Sequence, residues 1–99
     1  MINEKIKVGT KIKFAEEKQR YTVQCCNDRF VICTKPLNCM KTVLYTIIDF
    51  QKNIRGTENL IFGMGFETIE QCQEALERLT KGESEISRNR IPLVIESLS

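Results

Sequence analysis

The 99-residue chain is 41% hydrophobic and 28% charged, with a net charge of +2. That balance excludes a disordered acidic or basic tail and leaves enough apolar material for one core. No stretch is apolar for long enough to cross a bilayer as a helix, and MINEKIKVGTKIKF carries lysines where a secretory leader needs an apolar segment, so a single cytoplasmic domain over residues 1–99 is expected.

From residue 6 to 14 the pattern alternates. Ile6, Val8, Ile12 and Phe14 point one way and Lys5, Lys7, Lys11 and Lys13 the other, which predicts a half-buried strand with a bend at Gly9–Thr10. AEEKQ (15–19) is a polar connection. RYTVQCC (20–26) and FVICTK (30–35) predict a hairpin closed by NDR, with Tyr21, Val23 and Cys25 on one face. Pro36 ends the third strand. TVLYTIIDF (42–50) is apolar on both faces, which predicts a central strand covered on each side. QKNIRGTEN (51–59) predicts a polar loop, and LIFGMGF (60–66) a fifth strand bent at its glycines.

Thr68 followed by Gln71 is a capping box, and Ile69, Cys72, Ala75, Leu76 and Leu79 then recur on one helical face. Glu70, Gln73, Glu74, Glu77 and Arg78 should face water, and Gly82 should end the helix. ESEISRNR (83–90) predicts a loop and IPLVIE (91–96) a last strand, placed at an edge by Pro92. The expected fold is α+β: an antiparallel sheet of five or six strands with one main helix packed on it, compatible with an SH3-like partial barrel.

Five cysteines, two of them adjacent, and the lack of a leader argue against a disulfide framework. Cys25 and Cys33 lie within predicted strands rather than in metal-binding turns, so free thiols are expected and no metal or cofactor is assigned. With no histidine in the chain, no Ser/His/Asp or Cys/His constellation can be drawn, and a non-enzyme is favoured.

GMGFET (63–68) superficially suggests a phosphate loop, since it leads into a helix. It lacks a third glycine and a following lysine, and Glu67 and Glu70 already occupy the positive end of the helix. A glycine bend before a capped helix is the simpler reading.

Charge is unevenly distributed. Residues 1–55 hold eleven Lys/Arg against five Asp/Glu, and residues 56–99 four against eight. The glutamates on the helix weigh against duplex nucleic acid, whereas a small phosphorylated ligand needs only a few cations and N–H donors. Candidate ligand residues are therefore Arg55, Arg88 and Arg90 in predicted loops, with Lys11, Lys13 and Lys35, the polar Thr57 and Asn59 beside Arg55, and Tyr45 or Phe66 against a base. The charge asymmetry also suits self-association, basic strand to acidic helix.

IKFAEEKQRYTVQ, FVICTKP, KTVLYTIIDF, RGTENLIFGMGFET and SRNRIPLVIE together resemble a group of short phage and prophage proteins of about this length. The resemblance spans nearly the whole chain and carries no catalytic motif. It implies a countermeasure to host defence in the infected bacterium. One form is sequestration of a small nucleotide signal of the cyclic ADP-ribose or cyclic dinucleotide kind. Alternatives are an anti-CRISPR-like inhibitor of a host nuclease that uses the acidic helix, and a virion-assembly or nucleic-acid-binding accessory protein.

Overall fold

A computed structural model describes residues 6–27, 29–36, 43–58 and 64–99. Seven strands and one helix occur in the order β1 (Lys11–Phe14), β2 (Arg20–Cys26), β3 (Phe30–Lys35), β4 (Leu44–Asp49), β5 (Ile54–Thr57), α1 (Ile69–Thr80), β6 (Arg88–Pro92) and β7 (Ile95–Leu98). They form one antiparallel sheet ordered β6-β5-β4-β3-β2-β1-β7. The two edge strands, β6 and β7, are separated in sequence only by Leu93 and Val94. The sheet therefore curls until its ends meet through one continuous segment, a half-barrel with a helix on its outside. The α+β class is as expected, with seven strands in place of five or six.

The curl divides the core in two. Ile12, Phe14, Tyr21, Val23, Val31, Cys33 and Ile48 fill the concave side, while Phe30, Ile32, Ile47, Ile54 and Phe66 pack with Cys72, Ala75 and Leu79 of α1 on the other. Successive residues of β3 and β4 serve opposite cores, which is why TVLYTIIDF reads as apolar on both faces.

Several boundaries differ from expectation. The first strand covers only 11–14, because residues 7–10 form a turn in which the Thr10 N–H donates to the Lys7 carbonyl, and this leaves Val8 exposed. A bulge between Val23 and Cys25 turns Cys25 away from Tyr21 and Val23 toward the helix side. The predicted loop 51–59 contains β5, reached through a turn in which the Asp49 carboxylate accepts from the Gln51 and Lys52 N–H groups. Of the predicted strand 60–66, residues 60–63 lie outside the described residues, and Phe66 forms a single bridge to Tyr45. A Cβ at Gly65 would come within 2.8 Å of the Tyr45 carbonyl, so this glycine allows the backbones to approach. The predicted final strand is two strands, and Pro92 does sit at a sheet edge.

The helix is as read. The Thr68 hydroxyl accepts from the Gln71 N–H and the Gln71 side chain accepts from the Thr68 N–H. Arg78, expected to face water, instead reaches the buried Glu58 with both prongs of its guanidinium at 2.9 and 2.6 Å. Ser84 donates to the same carboxylate at 2.6 Å, so Glu58 ties helix, sheet and following segment together.

Candidate functional site

β5 places Arg55 opposite Ile48 of β4 and Ile91 of β6, facing the concave side. A guanidinium there must replace its hydration with protein contacts. It lies 4.1 Å from the Phe14 ring centroid and 5.2 Å from that of Tyr21, two rings that meet edge to face. Nη1 donates to the Tyr21 Oη at 2.9 Å, and Nη2 donates to the Glu16 Oε1 at 2.7 Å with Glu17 at 3.4 Å. Buried Nε has no hydrogen-bond partner among the described residues.

The burial is lopsided. The Arg55 side chain is 3% exposed, whereas Glu16 is 41% and Glu17 is 29% exposed. Both carboxylates come from the connection between β1 and β2, so a deep cation is balanced from the surface.

The electrostatics follow from this arrangement. Burial opposes the charge on Arg55, but the hydrogen bond to Glu16 and the proximity of Tyr21 and Glu17 outweigh it and raise its pKa. The Arg55 hydrogen bond holds the Glu16 carboxyl below its ordinary value, with Lys13 adding to the effect. Burial, and then the Glu17 carboxylate that accepts from it, push the Tyr21 hydroxyl up. Burial also pushes the Cys33 thiol up to about 12. Lys35 is shifted down by burial and feels both Glu17 and Arg55. Arg55 is thus the cation in direct contact with the two turn carboxylates, while Lys13 and Lys35 act on Glu16 and Glu17 only through space.

Other expected ligand residues lie elsewhere. Thr57 is fully buried, its hydroxyl donating to the Arg88 carbonyl at 3.3 Å. Tyr45 and Phe66 neighbour one another in the helix-side core, across the sheet from Arg55, so they cannot sandwich a base beside it. Arg88 and Arg90 are exposed on edge strand β6 rather than in a loop, and Arg55 is in a strand as well. Lys11 is exposed on β1. Lys13 pairs with Glu96 at 2.8 Å, and Lys35 donates to the Met64 carbonyl at 3.0 Å. Asn59 lies outside the described residues.

Sequence reasoning missed Phe14, Glu16, Glu17 and Tyr21 as site residues. The available signal was FAEEKQRY, an acidic pair flanked by two inward aromatic residues, set against a lone arginine between Ile54 and Gly56.

Among the described residues Cys25, Cys26, Cys33 and Cys72 are free thiols, and no three metal-ligating side chains gather. No helix among them is long and apolar enough to cross a membrane. No protein-family model matches the chain, and no curated protein or solved structure matches it either.

Proposed function

We propose that this chain is a non-enzymatic binding protein for a small phosphorylated ligand, which it takes at Arg55 with Lys35 within electrostatic reach. One observation carries the reading: a buried guanidinium on two aromatic rings, its Nε without a partner among the described residues, is balanced by carboxylates that a surface turn supplies. A fixed cation in a low-dielectric setting is a strong partner for phosphoryl oxygens. The shifts keep Arg55 and Glu16 charged and Tyr21 and Cys33 protonated at pH 7, which suits binding rather than proton exchange.

The resemblance to phage proteins supplies the context: sequestration of a nucleotide immune signal, cyclic ADP-ribose-type or a cyclic dinucleotide, in the host cytoplasm, by a self-associating protein. Calorimetric titration of the protein with cyclic ADP-ribose and a set of cyclic dinucleotides tests this. One of them should bind the wild type and fail to bind Arg55→Met, and heatless titrations across the set would reject the reading.

A second reading rests on the outer face of α1. Glu70, Glu74 and Glu77 are exposed on this helix and Glu67 just before its N-cap, and the Arg78–Glu58 pair clamps it to the sheet. This face suits a basic protein partner, as in an inhibitor of a nucleic-acid-binding enzyme. Charge reversal of Glu70 and Glu74 to lysine should abolish such binding and leave ligand binding at Arg55 intact.

A further inference from the structure

Arg29, Arg55 and Arg78 engage carboxylates, and they do so differently. Arg29 donates through Nε and Nη2 to the two oxygens of Asp49 at 3.0 and 2.9 Å. Arg78 donates through the same two atoms to Glu58 at 2.9 and 2.6 Å. Both pairs are the two-pronged fork that a guanidinium makes with a well-matched oxyanion. Arg55, by contrast, uses only Nη2 on that edge, toward Glu16, and its Nε is buried without a partner among the described residues. It is the most deeply buried of the three side chains, at 3% exposed against 39% for Arg29 and 38% for Arg78. An unmet donor at that depth is costly, so a better-fitting acceptor gains more here than at either of the other arginines.

The carboxylate now facing Arg55 comes from a surface connection. Glu16 is part exposed and belongs to a connection anchored near it by the Ala15 N–H to Val94 carbonyl bond at 2.9 Å and a longer Glu17 N–H to Phe14 carbonyl bond at 3.2 Å. Displacing Glu16 would leave Arg55 with Lys35 as a second cation within electrostatic reach, while Lys13 stays paired with Glu96 at 2.8 Å.

We infer that the Glu16 carboxylate is an internal stand-in for the ligand's phosphoryl group: it occupies the Nε–Nη2 edge of Arg55 with one oxygen, and a phosphoryl group displaces it by engaging both donors. This rests on the proposed ligand reading and names the regulation of that site. The 15–19 connection is its gate. The apparent affinity of the wild type is then the intrinsic affinity reduced by the fraction of molecules in which Glu16 has swung out.

The test is a calorimetric titration of wild type and Glu16→Gln with inorganic pyrophosphate, alongside backbone hydrogen exchange of residues 15–18. Glutamine keeps an acceptor for Nη2 but loses the charge, so the internal competitor weakens while the fold is retained. Glu16→Gln should bind pyrophosphate about fivefold more tightly than wild type, the factor expected for a competitor weakened from ionic to neutral. In wild type, saturating pyrophosphate should speed exchange at Glu16 and Glu17. Equal affinities with an unchanged turn overturn the stand-in and leave the ligand reading intact. Absence of binding to pyrophosphate in both proteins, together with a silent nucleotide set, overturns both. The wild-type exchange measurement decides the matter alone if Glu16→Gln folds poorly: an unchanged turn under bound pyrophosphate refutes the gate.

Discussion

Replacing Arg55 separates a structural arginine from a functional one. Arg55→Ala removes two cation–π contacts, each worth about 0.5–2 kcal/mol, and the charged hydrogen bonds to Glu16 and Tyr21. It also leaves a cavity beside Phe14 and Tyr21. Against this, the burial cost of the guanidinium is recovered, and Glu16 and Glu17 rehydrate without penalty because they already reach solvent. The balance is a loss of about 2–4 kcal/mol for alanine, at the lower end of what breaking a buried pair costs. Arg55→Met refills the concave core with an unbranched apolar side chain, restoring roughly 1.5–3 kcal/mol of burial. Methionine should therefore fall within about 1 kcal/mol of wild type, since well-packed apolar replacements of buried ion pairs are often neutral or better. Urea unfolding of the three proteins at pH 7 measures this. A methionine variant as unstable as the alanine variant would show that the fold itself requires the charge, and the case for retaining Arg55 to bind a ligand would collapse.

Arg78→Ala leaves the buried Glu58 carboxylate with Ser84 as its side-chain donor among the described residues and should cost about 1–3 kcal/mol at pH 7, the cost of an under-satisfied buried group. Arg78 holds the folded-state pKa of Glu58 down, so the contribution is present above the unfolded carboxylate value of about 4.3 and drains away as pH falls through the folded value. The gap between wild type and Arg78→Ala should accordingly narrow between pH 5 and about pH 3, and a gap that stays constant would contradict the assignment. A Cβ at Gly56 would meet the Arg88 carbonyl at 2.7 Å and the Ile86 Cγ2 at 2.9 Å, so Gly56→Ala should cost about 1–3 kcal/mol by forcing β6 from β5. An unchanged urea midpoint would show that the two strands give way freely. Thr68→Ala should cost about 1 kcal/mol by removing the hydroxyl that accepts from the Gln71 N–H, seen as a lowered Tm.

The elements that read correctly are those whose inward residues are apolar. The 20–35 hairpin and the capped helix announce themselves through Tyr21, Val23, Ile32, Cys72, Ala75 and Leu79, all of which are buried. β5 does not. Its buried residues include Arg55, Gly56 and Thr57, and the partners of Arg55 lie 34 and 39 residues away in sequence. Hydrophobic periodicity cannot flag a strand whose inward side chain is an arginine satisfied from so far off. The same blindness misplaced the start of the last predicted strand: Arg88, Asn89 and Arg90 read as loop, although their backbone lies along β5 in β6.

For the site, Arg55 was legible as one candidate alongside Arg88, Arg90, Lys11, Lys13 and Lys35. Their setting was not. The aromatic partners Tyr45 and Phe66 are apolar enough to be drawn into the helix-side core, whereas Phe14 and Tyr21, read as ordinary strand residues, carry the guanidinium. Which aromatic meets Arg55 depends on which face of a curled sheet each occupies, and that is set by strand order rather than by local pattern.

The most direct test of the central claim is the Arg55 Nε–H signal in a nitrogen-edited NMR spectrum. Burial should keep this proton in slow exchange and make it visible at neutral pH, before any ligand is added. Titration with the nucleotide signal that binds, or with pyrophosphate, should move it as a phosphoryl oxygen takes up the donor, while the Nε–H signals of Arg29 and Arg78, already paired with Asp49 and Glu58, stay in place. Saturable binding with the Arg55 signal unmoved would contradict the account.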